Sequence, residues 1–323
     1  MDNPNLDLGP IGLGTFPFSG VFREIGQDDA GAIVKEHITL GGRYIETAPS
    51  YPIREVDLGA ILSKFNRDDF LIGTKCVTGI NPDGTKVRSG HPDNIKAQCI
   101  SEISRLGVDY LDVMQSHITP DDIEPAMTMD ALNQLKSDGL VKYVGVSNVD
   151  LTQLKLFEAG GDVDIIQNRM SLLHEGHHRS LVDHCLERGI VFNQFQVIER
   201  GLLTGNTTGP GRRRADDLRE SKPEYVGEAY EVVRQWFEQE ITPLARELNV
   251  SVEELSVGWV LGQPCVNCCV IGSTRTAQTK ANIESGRLLP GSIVEALNNK
   301  VSSFKEYLNS TYDLDIDTFR GLA

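Results

Sequence analysis

Short apolar segments alternate along the chain with longer segments whose apolar residues recur at helical spacing. Strands are predicted at Ile11–Thr15, Tyr44–Thr47, Phe70–Lys75, Leu111–Gln115, Tyr143–Ser147, Ile165–Gln167, Ile190–Phe195 and Asn267–Ile271. Helices are predicted near residues 28–40, 55–65, 93–106, 123–138, 151–158, 179–188 and 226–248, with further helical segments near 276–285 and 291–307. Because most predicted strands are followed by a helix, the order indicates an α/β fold with a parallel sheet.

The number of predicted strands favours a closed barrel. We predict a (β/α)8 or TIM barrel with a C-terminal helix and tail, as a single domain over residues 1–323. A doubly wound open sheet is the rival fold, but the glycines at positions 9, 12, 14 and 20 do not form its G-x-G-x-x-G signature. The segment 205–222 is predicted to be a long exposed loop that could cover a cofactor.

Composition and charge exclude several classes of partner. The chain has 31 Lys and Arg against 46 Asp and Glu, a formal net charge of −15. Such a surface repels phosphate backbones and anionic membranes, so neither nucleic acid nor membrane is expected as a partner. The N-terminus lacks the features of a signal peptide, and no apolar run is long enough to span a membrane. The six cysteines are too sparse for a disulfide scaffold, which predicts a cytoplasmic protein.

Polar side chains recur where successive predicted strands end. In chain order they are Glu46, Tyr51, Lys75, His117, Ser147, Asn148, Gln167 and Asn168. The carboxyl ends of parallel barrel strands meet at one mouth, where the active sites of such folds lie. The sequence therefore predicts a polar site at this mouth.

Six segments resemble motifs of the aldo-keto reductase family and occur in the family's order. They are GGRYIETAPSYPIREVDLG, LIGTKC, LDVMQSHITP, GLVKYVGVSN, VFNQFQVIERGLLTG and CCVIGSTRTAQTKANIES. The similarity is collinear from about residue 10 to about residue 290. It implies a monomeric oxidoreductase that binds a nicotinamide cofactor and a small carbonyl substrate.

The resemblance assigns catalytic roles to Tyr51, Lys75, His117 and Glu46. Carbonyl reduction needs a proton donor, and a tyrosine with an ordinary pKa of about 10 is a weak acid at neutral pH. A Lys75 ammonium in contact with Tyr51 would favour the tyrosinate and strengthen this acid, and Glu46 would hold the ammonium by ion pairing. His117 would donate a hydrogen bond to the carbonyl oxygen and orient it.

The resemblance also implies a set of cofactor-binding residues. They are Ser147, Asn148, Gln167, Phe195, Gly272, Ser273, Arg275, Gln278 and Asn282. The first three would hold the nicotinamide carboxamide, Phe195 would stack on the nicotinamide ring, and the others would bind the adenosine phosphate at a helix start. Because a guanidinium pairs well with a phosphate, Arg275 favours NADPH (NADP+) over NADH.

The chain departs from the family pattern around Tyr51. Glu46 stands in place of the usual aspartate and is one methylene longer, which changes the geometry of the pair with Lys75. Pro52 replaces a common glycine, and Arg54 replaces a common serine. We hypothesise that Arg54 favours an anionic or phosphorylated substrate. The loops near 16–22, 78–92 and 118–122, and the tail after 302, have mixed polarity, which favours a polar substrate such as a sugar.

The sequence thus predicts NADPH-dependent reduction of an aldehyde or ketone, with hydride from C4 of the nicotinamide and the proton from Tyr51. Oxidation of an alcohol or sugar in the reverse direction is one alternative. A cofactor-binding regulatory subunit, like the potassium-channel β subunits of the same family, is another.

Two motifs mimic metal sites. His174-Glu175-Gly176-His177-His178 fits the H-E-x-x-H zinc pattern, which would allow a metal-dependent hydrolase, but Gly176 argues against the helix that this pattern requires. The segment 265–269, CVNCC, has no matching cysteine pair elsewhere. No metal is therefore expected.

Overall fold

The computed structural model of the chain describes residues 6–53, 55–81, 83–174, 179–205, 217–221 and 225–312. Its strands are β1 (Ile11–Gly14), β2 (Tyr44–Glu46), β3 (Leu71–Cys76), β4 (Thr78–Ile80), β5 (Lys86–Arg88), β6 (Leu111–Ser116), β7 (Val141–Ser147), β8 (Ile165–Gln167), β9 (Val191–Phe195) and β10 (Val266–Gly272). Eight of them close into a parallel barrel in the order β1-β10-β9-β8-β7-β6-β3-β2. The antiparallel hairpin β4–β5 lies outside the barrel.

Helices follow most of the barrel strands. They are α1 (Gln27–Thr39), α2 (Leu58–Leu62), α3 (Pro92–Leu106), α4 (Pro125–Ser137), α5 (Leu151–Glu158), α6 (Arg179–Arg188), α7 (Gly227–Trp236), α8 (Thr242–Glu247), α9 (Val252–Leu261), α10 (Thr276–Glu284) and α11 (Gly291–Tyr312). The predicted (β/α)8 barrel is confirmed, and each predicted strand lies within two residues of an observed one.

Three local elements differ from the sequence prediction. The hairpin β4–β5 was not predicted, because each of its strands has only three residues. Helix α9 was not predicted either: seven of its ten residues are buried, so it shows no polar face. The single helix predicted over 226–248 is divided by a π-helical turn at Phe237–Ile241, next to a proline at the start of α8.

The predicted loop at 205–222 falls mostly outside the described residues, which omit 206–216 and residue 222 of this loop. Its described part includes a 3-10 turn at Leu218–Ser221.

The interior of the barrel is filled by side chains. Tyr44 is fully buried, and its Oη accepts a hydrogen bond of 3.4 Å from the amide of Asn193. A Cβ atom at Gly73 would lie 2.1 Å from this Oη, and one at Gly12 would lie 2.8 Å from the tyrosine ring, so both positions need glycine. Because the interior is packed, a ligand can only be bound at a mouth of the barrel.

The strand-to-helix connection at β7 is fixed by a capping box at Asp150. Its Oδ1 accepts from the backbone N–H of Gln153 at 2.8 Å, and Oε1 of Gln153 accepts from the N–H of Asp150 at 3.0 Å. The cap residue lies two positions after Asn148, so the start of α5 holds the end of β7.

The apolar core lies mainly between the barrel and its outer helices. Ile33, Leu132 and Phe157 come from α1, α4 and α5 and are each at most 1% exposed. No helix within the described ranges combines the length and the apolar character needed to cross a membrane.

Candidate active site

Adjacent strands bring the predicted catalytic residues to one mouth of the barrel. Glu46 ends β2 and pairs in register with Gly73 of β3. Lys75 lies two residues further along β3, beside Gln115 of β6, and His117 directly follows β6. The neighbour order β2-β3-β6 therefore places these side chains next to one another.

Glu46 contacts both Lys75 and Tyr51 through one oxygen atom. Lys75 Nζ donates to Glu46 Oε1 at 2.5 Å, and Tyr51 Oη donates to the same oxygen at 2.8 Å. The side chains of Lys75 and Glu46 are only 1% and 3% exposed, whereas Tyr51 is half-buried at the mouth. The structure thus joins three of the predicted residues in a buried hydrogen-bonded group.

The protonation of Tyr51 differs from the sequence prediction. Burial raises the pKa of the Tyr51 hydroxyl well above 10, and the Glu46 carboxylate raises this pKa further by its charge and as hydrogen-bond acceptor. The pKa lowering expected from Lys75 is not found, because the hydroxyl is buried and contacts the carboxylate of the ion pair. Tyr51 is therefore a neutral phenol that can donate a proton.

His117 is held as a neutral imidazole. Its Nδ1 lies 2.8 Å from Thr78 Oγ1 and 3.2 Å from Ser50 Oγ. Burial and the nearby Lys75 charge lower the pKa of His117 to about 3, so the ring is uncharged at neutral pH. When the hydroxyls donate to Nδ1, the ring proton is on Nε2, which can then donate to a substrate oxygen.

Ser50 and Thr78 were not predicted as site residues. Thr78 begins the unpredicted β4–β5 hairpin, and its hydroxyl reaches His117 because this hairpin folds back at the mouth. The only sequence signal was the position of Ser50 directly before Tyr51.

Aromatic rings line one side of the mouth. The ring of Phe16 packs edge-on against Tyr51 at 5.2 Å between centroids and against Phe22 at 6.2 Å. Both phenylalanines lie in a loop predicted to contact substrate. Arg54, which we hypothesised to favour an anionic substrate, lies outside the described residues.

The ends of β7 and β8 form a second polar region beside His117. Ser147 Oγ donates to the backbone oxygen of Gln167 at 2.7 Å, and Asn148 Nδ2 donates to the backbone oxygen of His117 at 3.1 Å. The Gln167 side chain is 3% exposed, and its Nε2 has no hydrogen-bond partner within the described part of the chain. This amide N–H can therefore still donate to an acceptor from outside the chain.

The loop between β10 and α10 brings most of the other predicted cofactor residues together. Asn282 Nδ2 donates to Ser273 Oγ at 2.9 Å, and both residues are buried. Gln278 Oε1 accepts from the backbone N–H of Thr274 at 2.8 Å, and Arg275 stands exposed directly before α10. This arrangement fixes the loop and leaves the guanidinium accessible.

Gly272 ends β10 in close contact with the loop after β1. A Cβ atom at this position would lie 2.5 Å from Pro17 Cγ, so glycine permits the approach. Arg23 from the same region donates to the backbone oxygen of Thr274 at 2.9 Å and was not predicted as part of this region.

The turn after β9 is anchored by a buried carboxylate that sequence reasoning missed. Phe195, partly buried, ends β9, and Glu199 follows four residues later at 1% exposure. Glu199 accepts hydrogen bonds from Arg169 at 2.6 Å and from Ser171 at 2.5 Å. Its φ of 44° and that of Arg200, 49°, are in the left-handed region, so these bonds hold a strained turn beside Phe195.

The structure describes the cysteine motif at 265–269 fully, but only the first residue of the H-E-x-x-H motif at 174–178. In the H-E-x-x-H motif only His174 is described, since 175–178 lie outside the described residues. All six cysteines are free thiols, and the two in β10, Cys268 and Cys269, are fully buried. No group of three possible metal-binding side chains occurs in the ranges that the structure describes.

The chain is similar to known proteins along most of its length. The family model described as "Aldo/keto reductase family" matches residues 10–299. The NADH-specific methylglyoxal reductase of Escherichia coli is 29% identical, over 86% of this chain and 90% of the relative. A D-threo-aldose 1-dehydrogenase of a Pseudomonas species is 25% identical, over 88% of this chain and 91% of the relative.

Solved structures share the fold. A glycerol dehydrogenase from Gluconobacter oxydans has a TM-score of 0.80 at 23% identity, over 93% of this chain and 94% of that chain. The holo form of an aldo-keto reductase from Bacillus halodurans has a TM-score of 0.73 at 21% identity, over 92% of this chain and 94% of that chain.

Proposed function

Because the chain belongs to the aldo/keto reductase family and is therefore an oxidoreductase, we propose that it reduces an aldehyde or ketone to the alcohol with NADPH. The observation that carries this proposal is the Tyr51 hydroxyl at the barrel mouth, bonded to a buried carboxylate–ammonium pair and close to His117. The hydroxyl is a proton donor, and the imidazole is a second donor for the same substrate oxygen.

Tyr51, Lys75, His117 and Glu46 each have a different role in the reduction. A nicotinamide cofactor, when bound, supplies the hydride to the carbonyl carbon. Tyr51 gives its proton to the carbonyl oxygen as negative charge develops there. The charge of Lys75 offsets that of Glu46 in the buried pair, and His117 orients the oxygen through its Nε2–H.

The residues at the ends of β8 and β10 fit a nicotinamide cofactor. The unpartnered amide of Gln167 needs an acceptor, and a carboxamide oxygen is a suitable one. Ser147 and Asn148 hold the neighbouring backbone in place. At the other end, the N-terminus of α10 and the exposed guanidinium of Arg275 suit a phosphate, and Phe195 offers a flat ring between the two regions.

The Gln167→Ala variant tests this placement of the cofactor. We expect the cofactor dissociation constant to rise about fivefold, because one hydrogen bond contributes on the order of 1 kcal/mol to binding. The matched control is Gln134→Ala, which removes an exposed amide on the outer helix α4. Fluorescence titration of both variants gives the dissociation constants. An unchanged dissociation constant for Gln167→Ala would show that Gln167 does not bind the cofactor.

The preference for NADPH rests on Arg275. The Escherichia coli relative is by its name NADH-specific, so the family alone does not decide the coenzyme. In the Arg275→Ala variant we expect KM for NADPH to rise roughly 10–100-fold, the effect of one charged hydrogen bond, and KM for NADH to stay unchanged. Steady-state kinetics with both coenzymes measures this.

The control for Arg275→Ala is Lys280→Ala, which removes another exposed cation from the same helix. If both variants raise KM for NADPH equally, the effect is a general loss of positive charge, and the specific contact with Arg275 is refuted.

We propose a small polar carbonyl compound as substrate. The names of two relatives refer to methylglyoxal and to an aldose, and the substrate loops have mixed polarity. The test is to follow NADPH and NADH consumption with methylglyoxal, aldoses and benzaldehyde. We expect faster turnover of the polar compounds with NADPH, whereas no carbonyl-dependent consumption of either coenzyme would contradict the function itself.

Oxidation is the second candidate direction. It is supported by the 25% identical relative, whose name is that of an aldose dehydrogenase. Tyr51 would then accept a proton from the alcohol, which requires the phenolate. Measuring sugar-dependent reduction of NADP+ and NAD+ compares the two directions.

A further inference from the structure

A buried ion pair lies just beyond the ends of β8 and β9, apart from the catalytic residues. Arg169 Nε donates to Glu199 Oε1 at 3.1 Å, and Arg169 Nη2 donates to Glu199 Oε2 at 2.6 Å. Ser171 Oγ donates to Oε1 at 2.5 Å, and Tyr225 Oη donates to Oε2 at 3.3 Å. Each carboxylate oxygen thus accepts two hydrogen bonds, in a pair whose arginine and glutamate side chains are 8% and 1% exposed.

Both members of this pair are charged. Burial raises the pKa of Glu199, but the charge of Arg169 and the hydrogen bonds from Arg169 and Ser171 outweigh burial and hold that pKa below its ordinary value. A buried ion pair adds little to stability, because the cost of removing two charges from water offsets most of their attraction, and apolar residues of similar size are often as stable. Stability alone therefore does not account for charged residues at this position.

The ion pair closes a ring around Phe195. Arg169 lies opposite Phe195 in a parallel backbone bridge. The N–H of Phe195 donates to the backbone oxygen of Asn168 at 3.1 Å, and the backbone oxygen of Phe195 accepts from the N–H of Met170 at 3.3 Å. The chain leaves β9 at Phe195, and four residues later Glu199 returns to Arg169. Phe195 is therefore held by the backbone around Arg169 and by the turn that the ion pair closes.

The turn inside this ring has a strained backbone. Seven non-glycine residues in the described part of the chain have a φ in the left-handed region, and three of them lie within 196–200. They are Gln196 at 55°, Glu199 at 44° and Arg200 at 49°. Such residues persist only where surrounding contacts fix them, and they concentrate at active and ligand-binding sites. The hydrogen bonds to Glu199 supply such contacts here.

The same ion pair stands beside Gln167. Backbone bridges at Arg169 and Ser171 continue the extended segment of β8, and alternate side chains of an extended segment share a face. Gln167, Arg169 and Ser171 are such alternate residues, and the last two both bond to Glu199. The ion pair thus connects the strand that carries the amide of Gln167 to the turn that follows the ring of Phe195.

We propose that Arg169 and Glu199 are positioning residues for the nicotinamide end of the cofactor, whose ion pair fixes Phe195 relative to Gln167. The inference rests on the proposed function, in which Gln167 holds the carboxamide and Phe195 stacks on the ring. The residues that suit the adenosine phosphate lie elsewhere, at the start of α10. Loss of the ion pair therefore weakens the nicotinamide contacts and leaves the phosphate contacts intact.

The test is the double variant Arg169→Met with Glu199→Gln. It leaves no buried charge without a partner, and the glutamine oxygen can still accept from Ser171. Binding is titrated with NADPH and with adenosine 2′,5′-bisphosphate, which has the adenosine phosphates but no nicotinamide. We expect Kd for NADPH to rise at least about tenfold, because the contacts of Gln167 and Phe195 both loosen. Kd for the bisphosphate should stay within about twofold.

Reduction kinetics give a second readout. A displacement of the nicotinamide by about 1 Å can lower kcat by up to about 100-fold, because hydride transfer depends on the alignment of the reacting atoms. We therefore expect kcat to fall even at NADPH concentrations that saturate the double variant. A role in folding alone would leave kcat at saturation unchanged for the folded protein.

The matched control is the pair of Arg105 and Glu102 on the outer helix α3. Arg105 Nε and Nη2 donate to the two oxygens of Glu102 at 2.7 Å each, and Thr74 Oγ1 donates to the same carboxylate at 2.7 Å. Glu102 is 3% exposed, so this pair resembles that of Arg169 and Glu199 in its bonds and in the burial of its carboxylate. Arg105→Met with Glu102→Gln should leave Kd for NADPH and kcat unchanged.

A rise in Kd for NADPH alone, confined to the Arg169 and Glu199 variant, supports the inference. An equal rise for NADPH and the bisphosphate, an equal rise in the control, or no rise at all overturns it. A wild type that binds no NADPH instead refutes the proposed function. Where the double variant does not fold, Arg169→Lys keeps the charge but loses the two-pronged contact. We expect it to raise Kd for NADPH several-fold, and an unchanged Kd overturns the inference.

Discussion

Replacing Tyr51 with phenylalanine is expected to lower kcat by about 10²–10⁴-fold, the usual contribution of a positioned proton donor. The phenyl ring keeps its packing against Phe16, and only the hydroxyl is lost. The cofactor dissociation constant should stay within about twofold, because a residue that acts in the transition state contributes little to ground-state binding. Steady-state kinetics and a cofactor titration on the same preparation give both values.

A matched control is available at the opposite end of the barrel. Tyr110 precedes β6, and its hydroxyl accepts from Lys142 Nζ at 3.0 Å, so Tyr110→Phe also removes one hydroxyl hydrogen bond. This variant should keep wild-type kcat. Retention of full activity in Tyr51→Phe, or an equal loss in both variants, would show that Tyr51 is not the proton donor.

The second large effect concerns stability. Replacing Lys75 with methionine, of similar length, leaves the carboxylate of Glu46 buried at 3% exposure without its cation. Breaking a buried ion pair in this way costs about 3–5 kcal/mol, so the free energy of unfolding should fall by that amount. Activity should fall as well, since the environment of Tyr51 changes. Urea denaturation monitored by circular dichroism measures the stability.

Two further variants identify the cause. The double variant Glu46→Gln with Lys75→Met removes both charges and should recover most of the lost stability. The exposed pair of Lys300 and Glu240 has the same 2.5 Å separation but is 34% and 47% exposed, so Lys300→Met should cost less than about 1 kcal/mol. If Lys75→Met and Lys300→Met cost the same, burial of the pair is not what makes Lys75 important.

The barrel was largely predictable, because strand and helix periodicities are local properties of the sequence. All eight barrel strands follow from short apolar runs. Helix α9 escaped prediction because it is apolar on nearly every side, and β4–β5 escaped because three residues are too few to show alternation. Both failures come from tertiary burial and pairing, which leave no local pattern.

The candidate site was predictable as a set of residues but not as a geometry. Glu46, Lys75 and His117 could be named from the sequence, since parallel strands bring their carboxyl ends to one mouth. The bonds from Ser50 and Thr78 to His117, and the Arg169–Glu199 pair below the turn after β9, join residues far apart in sequence. No spacing rule connects such residues.

The sequence by itself determined the order of strands and helices, the barrel, and the donors and acceptors at its mouth. Only the tertiary structure decided that the Tyr51 hydroxyl is buried and shares one oxygen of Glu46 with Lys75. Burial and this carboxylate together raise the Tyr51 pKa, the reverse of the expected shift. The physical reason is the difference in length scale between sequence periodicity and contacts between atoms. Periodicity places residues on strands and faces, whereas a pKa depends on which atom lies within about 3 Å, and the packing of side chains sets that distance.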